Sequence, residues 1–382
     1  MVSKELVNNI FKEKFNSDKG NIFTAPGRIN LIGEHTDYND GFVFPGAIDK
    51  GITAKINING KMKVCAFSID LDEYVEFDII GGKLPSSTWA RYIYGVCLEM
   101  WRHGVDIKGF ATVFSGDIPL GAGLSSSAAL ESCYAYALNE LFGDNKIDKM
   151  ELARIGQETE HKYVGVNCGI MDQFASIFGK EGHLMRLDCR SMEYEYFPFN
   201  PQKYGYRVVL IDSVVKHELV DSPYNKRRES CERVSEAIGV PSLRYAGPAD
   251  LEAVKSKISE EDYKRAKYVI EEEQRVMDVC EALQFNDYII VGECMYQTHK
   301  GLSEDFEVSC AELDYLNEIA RNCQVTGSRM MGGGFGGCTI NLVKEELFDK
   351  FINRAKKEFS EKFGHMPKVY EVVISQGAHR IC

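Results

Sequence analysis

No stretch of the 382-residue chain reaches 18 apolar residues, so no transmembrane helix is expected. The first fifteen residues, Met1 to Phe15, lack the apolar block of a signal peptide. They mix Lys4, Glu5, Lys12, Glu13 and Lys14 with Leu6, Val7, Ile10 and Phe11, the pattern of a short amphipathic helix. None of the twelve cysteines forms a CxxC pair, and the eight histidines include no HExxH and no His-x3-His pair. Zinc sites of those designs are therefore not expected, and His161 beside Glu160 reads as a packing or hydrogen-bonding residue. Cys382 is the last residue, the wrong place for prenylation. Internal repeats and low-complexity tracts are missing as well.

What remains is the composition of a globular enzyme: 44% hydrophobic, 27% charged, net charge −12. The length suits two domains, each able to bury a core. The negative charge disfavours nucleic acid and anionic membranes as partners but leaves room for a local cationic pocket that holds phosphates. Scattered cysteines fit free, mostly buried thiols in a reducing cytoplasm, with Cys65, Cys97, Cys133, Cys294 and Cys338 in apolar surroundings. A monomer is the default expectation.

Strands are predicted at Gly51–Ile58, Lys63–Ile69, Gly109–Phe114, Tyr206–Asp212, Cys338–Val343 and Val369–Ser375. Helices are predicted at about Ser126–Leu141, where Ala128, Ala129, Cys133, Ala135 and Ala137 permit close packing on a sheet, and at Met150–Tyr163, with a stripe of Leu152, Ile155, Gly156, Thr159 and Tyr163. Long charged helices follow at Asn225–Ile238, Glu260–Leu283 and Ala311–Arg321. The texture changes after about residue 190. We place a boundary near 195, giving domains 1–195 and 196–382, an α+β class and a site in the cleft between them.

Four segments carry chemistry. Pro119–Glu131, PLGAGLSSSAALE, joins a predicted strand to a predicted helix. Gly121 and Gly123 let the backbone approach a ligand, and the helix N-terminus supplies free N–H groups and a positive dipole end. The serine hydroxyls add donors, and one could ligate a hard cation. No Lys follows the glycines, so this is not a Walker loop, and the protein-kinase set and the GxSxG elbow are also missing. The residues suit a phosphate loop of another design; an ordinary Gly-rich connection with a serine cap uses the same letters. Ala25–Pro45, APGRINLIGEHTDYNDGFVFP, gathers Arg28, Glu34, His35, Asp37 and Tyr38 around a turn-rich segment. Ionised carboxylates are acceptors, as sugar hydroxyls require, though a polar surface loop with a capping Asp reads the same way.

Gly327–Cys338, GSRMMGGGFGGC, contains GxGxxG at Gly332, Gly334 and Gly337. A dinucleotide fingerprint should follow a strand and open a helix. Here the glycines follow the polar stretch CQVTGSR and precede a strand, so a loop packed on a ligand or on other backbone is the better reading. In Asn167–Phe178, NCGIMDQFASIF, a helix starts near Ile170 and places Asp172 in its first turn, where the dipole favours the anion.

Taken together, the four segments resemble the galactokinase branch of the GHMP kinase family, in the correct order and over nearly the whole chain from about Phe23. GRINLIGEHTDYNDGFVFP is similar to the galactokinase signature, PLGAGLSSSAALE to the family's phosphate loop, GSRMMGGGFGGC to its third motif, and NCGIMDQF to the segment with the catalytic Asp. The resemblance implies an N-terminal α+β domain and a ferredoxin-like C-terminal domain with the active site between them. It implies transfer of the γ-phosphoryl group of ATP to the C1 hydroxyl of galactose, the first step of galactose catabolism. Asp172 would be the base or electrostatic partner of that hydroxyl, and Arg28 would hold it ionised. Glu34, His35, Thr36, Asp37, Gly169, Asp172 and Tyr224 would bind the sugar. Gly121, Ala122, Gly123, Leu124, Ser125, Ser126 and Ser127 would cradle the phosphates, and Ser68 would touch the nucleotide. Ser127 and Glu160 would hold Mg²⁺. Met331 departs from the pattern, standing where a hydroxyl residue is usual, so one polar contact is expected to be missing.

Three rivals remain: a kinase for a 2-modified sugar such as N-acetylgalactosamine, a non-enzymatic sugar sensor on the same fold, and a nicotinamide oxidoreductase. The EHTDYNDG run favours galactose. The Ser127–Ala128 pair, which such sensors lack, favours catalysis, and the third rival rests on GxGxxG alone.

Overall fold

The computed structural model describes residues 2–119, 121–215 and 223–381. Met1, Leu120 of the phosphate-loop motif, residues 216–222 (Asp221 and Ser222 among them) and Cys382 lie outside the described residues. The chain opens on α1 (Lys4–Phe15), where Ser3 caps the helix by accepting from the Leu6 N–H at 3.3 Å, and Val7 and Phe11, four residues apart, are buried on one face. There follow β1 (Asn21–Asn30), β2 (Phe42–Val43), β3 (Pro45–Ile58), β4 (Lys63–Ser68), β5 (Glu73–Asp78), α2 (Thr88–Arg102), β6 (Phe110–Gly116), α3 (Ser126–Phe142), α4 (Lys149–Thr159), α5 (Met171–Phe178), β7 (His183–Asp188) and β8 (Tyr194–Pro198). The later part contains β9 (Tyr206–Asp212), α6 (Pro223–Ile238), α7 (Pro248–Val254), α8 (Glu260–Gln284), α9 (Tyr288–Lys300), α10 (Ala311–Asn322), β10 (Gly327–Met330), β11 (Cys338–Lys344), α11 (Phe348–Phe363), β12 (Lys368–Glu371) and β13 (His379–Ile381).

Six strands form one sheet in the order β13-β1-β3-β6-β4-β5, with β4 and β6 parallel and the other pairs antiparallel. Ala128, Ala129, Cys133, Ala135 and Ala137 of α3, all buried, let that helix lie close on β1 and β3. A second sheet has the order β10-β11-β9-β12, antiparallel throughout. Counted along the chain, that is strand order 2-3-1-4 with helices between first and second and between third and fourth, which is the ferredoxin-like arrangement. A third, small sheet joins β2, β7 and β8. The largest hydrophobic cluster runs from the first sheet through α3 and α5 to Val276, Val279 and Leu283 of α8 and Ile340 of β11. One core therefore backs both walls of the cleft.

Most predicted elements stand within one or two residues of their expected ends; the exceptions have local causes. Arg28 lies in β1, where a turn-rich segment was expected, because Pro26 and Gly27 sit at an irregularity that shifts the register against β3 between Pro26 and Arg28. VYEVVIS pairs only as far as Glu371; beyond it Ile374 makes an isolated bridge to Ile48. The glycine loop does follow a strand, β10, yet it opens β11 and no helix, so the dinucleotide reading still fails. Eleven described cysteines are free, eight of them buried. Cys65 corrects its expectation, being half-buried on β4 with its thiol toward Glu76 rather than in apolar surroundings. Among the described residues, no helix is long and apolar enough to cross a membrane.

Candidate active site

The register irregularity in β1 turns Arg28 inward beneath α3 and α5. Asp172 is the second residue of α5. The two meet edge-on: Arg28 Nε donates to Asp172 Oδ1 at 2.8 Å and Nη2 to Oδ2 at 3.0 Å. Bidentate pairing of this kind fixes orientation as well as charge. The third nitrogen, Nη1, donates to the Gly123 carbonyl at 2.6 Å, which ties the pair to the phosphate loop. The Arg28 side chain is 5% exposed and that of Asp172 29%, so the carboxylate keeps one open side. That side faces a cavity of about 570 Å³ lined by Arg28, Glu34, His35, Asp37, Gly121, Gly123, Leu124, Ser125, Ser126, Ser127, Glu160, Gly169, Asp172 and Tyr224 among others.

Ser125 precedes α3 with a left-handed backbone, φ 58°. Its hydroxyl donates to Asp172 Oδ2 rather than capping the helix. Ser125, at the cap position of α3, makes no side-chain cap hydrogen bond, an arrangement that leaves the first N–H groups of the helix available to an anion. Ala122, expected to cradle phosphate, is wholly buried beneath the loop and does not line the cavity.

The segment 33–42 contributes Glu34, His35 and Asp37 to the cavity wall. Asp37 is half-buried, and desolvation first, then the neighbouring Asp172, pushes its carboxyl up to about 6. Gly169 lies against it so closely that a Cβ there would overlap the Asp37 carboxylate. His35 has its Nδ1 at 2.8 Å from the Tyr38 hydroxyl, while its buried Nε2 has no hydrogen-bond partner among the described residues. Burial, Arg227 and Arg329 push the imidazole down to about 3, so it is neutral and presents a single donor or acceptor. Tyr224 packs on His35 with ring centroids 5.4 Å apart. Thr36 departs from its expected role. Fully buried, it closes the loop by sharing its one hydroxyl proton between the carbonyls of Gly33 (3.0 Å) and Phe42 (2.6 Å), and it does not line the cavity.

Glu34 lines the cavity, but its Oε2 is already engaged by Arg329 Nη1 at 2.8 Å and the Gly332 N–H at 3.0 Å. Arg329, missed in the sequence, is fully buried and also donates to the carbonyls of Leu31 and Asn30. It sits inside the third motif, and a charged residue three positions before a glycine run was its only signal. The glycine loop packs on the phosphate loop as expected: a Cβ on Gly332 or Gly337 would lie 3.3 Å from the carbonyl oxygens of Gly123 and Ala122 respectively. Met331 is buried between them, and its sulfur takes a long hydrogen bond of 3.5 Å from the Asn30 N–H. The expected gap in polar contact is thus filled weakly by sulfur.

A second cavity, about 620 Å³, shares Thr88, Tyr92, Ser126 and Ser127 with the first. Ser68, Trp89, Tyr92 and Phe114 line it, so the Ser68 expectation falls here, next to aromatic faces suited to a flat base. Trp89 and Tyr92 were not singled out in the sequence; an aromatic pair one turn apart on a helix was their signal. Glu160 begins a π-turn, Glu160–Val164, at the end of α4. Its carboxyl is 5% exposed, shares a hydrogen bond with Ser127, and is pushed up to about 7 by burial. A buried carboxylate raised this far, beside a hydroxyl and a phosphate loop, fits a hard cation. Among the described residues no cluster of three His, Cys, Asp or Glu could hold a metal. A cation here would take two protein oxygens and find its other ligands in phosphate and water, the habit of magnesium.

Comparison with known proteins accords with this geometry. Residues 91–180 match the N-terminal domain of the GHMP kinases, 279–361 their C-terminal domain, and 9–57 the galactokinase galactose-binding signature. A galactokinase of Thermosipho africanus is 41% identical over 358 residues, spanning 94% of this chain and 99% of its own. The chain belongs to the galactokinases. A galactokinase of Clostridium acetobutylicum is 40% identical over 99% of the chain and 98% of its own length. The crystal structure of Lactococcus lactis galactokinase complexed with galactose superposes with a TM-score of 0.93 at 32% identity, covering 98% of both chains. Mevalonate kinase of Methanococcus jannaschii, at 16% identity and a TM-score of 0.66, shares the fold alone. The two-domain α+β GHMP kinase fold is thus shared beyond the galactokinases, and residues 33–42 fall within the galactokinase galactose-binding signature matched over 9–57.

Proposed function

We propose that the protein transfers the γ-phosphoryl group of ATP to the C1 hydroxyl of galactose, giving galactose 1-phosphate and ADP. The carrying observation is the Arg28–Asp172 pair, held by Gly123 and Ser125 of the phosphate loop and open toward the 33–42 wall. A sugar on Asp37, His35, Glu34, Gly169 and Tyr224 would bring a hydroxyl to Asp172. The new bond joins O1 to the γ-phosphorus as the bond to the β,γ-bridging oxygen breaks. The hydroxyl proton goes to the Asp172 carboxylate. Arg28 keeps that carboxylate ionised until then and offers positive charge beside the transferring group, so the protein contributes position and electrostatics.

Residues Gly121 to Ser127 would take the phosphates on free backbone N–H groups, with Ser68, Trp89 and Tyr92 around the base. Ser127 and Glu160 would hold Mg²⁺, which when bound neutralises phosphate charge. We assign the sugar and phosphate walls to a domain of residues 1–195 and the rest to 196–382, in a cytoplasmic monomer.

The test is ADP release from Mg-ATP with galactose, N-acetylgalactosamine, glucose, arabinose and mevalonate. Turnover with galactose is expected. Turnover with another sugar instead would overturn the substrate, and silence with all of them, with galactose still bound, would make the chain a sensor.

A further inference from the structure

The 33–42 loop satisfies its interior from within: Asn39 and Gly41 N–H donate to the Thr36 carbonyl, and Asp40 N–H to that of Asp37. Its ends do not. The N–H groups of Gly33 and Glu34 donate, at 2.8 and 3.3 Å, to one oxygen of Glu272, and the Phe42 N–H donates at 3.0 Å to Glu273 Oε2. These two consecutive glutamates belong to α8. One turn earlier, Tyr268 donates its hydroxyl to the Glu34 carbonyl at 2.9 Å. Tyr268, Glu272 and Val276 fall at four-residue spacing, which puts them on one helix face, and Val276 Cγ2 lies against Gly33.

Glu34 is thereby gripped at three points: its N–H by Glu272, its carbonyl by Tyr268, its carboxylate by Arg329 and Gly332. Glu272 has no exposure, and its other oxygen is fixed by Arg275 Nε and the Thr298 hydroxyl, both at 2.7 Å. At the far end, a side chain on Gly41 would overlap Glu273 Oε1, so loop and helix are fitted without slack. His35 and Asp40, at φ 63° and 58°, hold left-handed conformations that cost energy in a side-chain-bearing residue. Such a loop keeps its shape only when its surroundings over-determine it.

We propose that this face of α8 is a platform that sets the shape of the sugar wall, with Tyr268, Glu272 and Glu273 as positioning residues for sugar affinity. None of the three lines either cavity, so their effect passes through Glu34, His35 and Asp37 and leaves the nucleotide side alone. The proposal rests on reading residues 33–42 as the sugar wall.

The experiment measures galactose KM, ATP KM and kcat for Tyr268→Phe and Glu272→Gln, with hydrogen exchange of the peptide spanning residues 33–41. Loss of one neutral hydrogen bond should raise galactose KM roughly fivefold in Tyr268→Phe. Disturbing two charge-assisted bonds should raise it tenfold or more in Glu272→Gln. ATP KM should stay within about twofold in both. An unchanged galactose KM, or galactose and ATP KM rising together while kcat falls, overturns the proposal. Should the wild-type protein not use galactose at all, the functional reading fails and exchange decides the platform. Glu272→Gln must then speed exchange of that peptide, and an unaltered rate refutes the platform whatever the substrate.

Discussion

Gly169 and Asp37 share a space that has no room for a methyl group: a Cβ on Gly169 would overlap the Asp37 carboxylate. The contact joins the loop before α5 to the sugar wall and makes the glycine a condition of the aspartate's position. Gly169→Ala should displace the Asp37 carboxylate and lose a charge-assisted hydrogen bond to a sugar hydroxyl, about 1.5–3 kcal/mol. Steady-state kinetics should show galactose KM raised by roughly ten- to a hundredfold, with ATP KM near wild type. An unchanged galactose KM would remove Asp37 from the sugar site.

Asp172→Asn should reduce kcat by at least about a hundredfold, the usual scale for losing a positioned proton acceptor. The burial of Arg28 adds a second consequence. Its buried guanidinium would face an amide and keep only its bond to Gly123 as a strong partner. Breaking the pair should also cost on the order of 2 kcal/mol of stability, less than for a fully buried pair because Asp172 is partly exposed. Rapid-quench measurement of phosphoryl transfer and a thermal melt read the two effects separately. Retained turnover in the variant would exclude Asp172 from the chemistry.

Much of this site could be read from the letters alone, because glycines, serines and carboxylates in fixed order carry their own chemistry. Asp172 fell in the first turn of a helix as expected, and α3 opens at Ser126 directly after the glycine loop. What stayed hidden was non-local. Arg329, from β10, reaches Glu34 across almost three hundred residues of chain, and nothing near either residue announces the pairing. β1 was missed because Pro26 and Gly27 break strand propensity, yet that same irregularity turns Arg28 inward. Thr36 looked like a ligand because it sits between His35 and Asp37, but the tight turn points its hydroxyl back at Gly33 and Phe42. The ferredoxin-like order came from resemblance, since strand order depends on pairing that no local pattern records.

Acid should weaken both substrates through different residues. Glu160 is raised to about 7 and Asp37 to about 6, and each is wanted as an anion, one for a cation and one for a hydroxyl. As pH falls, each takes up its proton and loses that role. We expect kcat/KM for Mg-ATP to decline below about pH 7 and kcat/KM for galactose below about pH 6, each approaching tenfold per unit. Glu160→Gln should abolish the first decline while raising the Mg²⁺ concentration needed for half-maximal rate. A profile flat from pH 5 to 8 for both substrates would contradict the two assignments.

Glu273 titrates where the loop meets α8, and its effect on stability has a definite sign. Burial raises its carboxyl from 4.5 to about 8 against the opposing Phe42 N–H and Arg244, with Glu272 and Asp188 reinforcing the rise. Arg244 Nη1 stands 3.7 Å from Oε2, beyond a good hydrogen bond, and Glu273 Oε1 has no hydrogen-bond partner among the described residues. Below pH 4.5 both folded and unfolded chains hold the proton and the residue costs nothing. Between about 4.5 and 8 the unfolded chain releases it while the folded one does not, so stability falls with rising pH by at most about 1.4 kcal/mol per unit from this group. Glutamine keeps an acceptor for Phe42 and does not titrate. The urea midpoint of Glu273→Gln should therefore match wild type near pH 4 and exceed it by a margin that widens through pH 5.5 and 7. A margin independent of pH would mean that Glu273 is ionised throughout and that its pairing with Arg244 outweighs its burial.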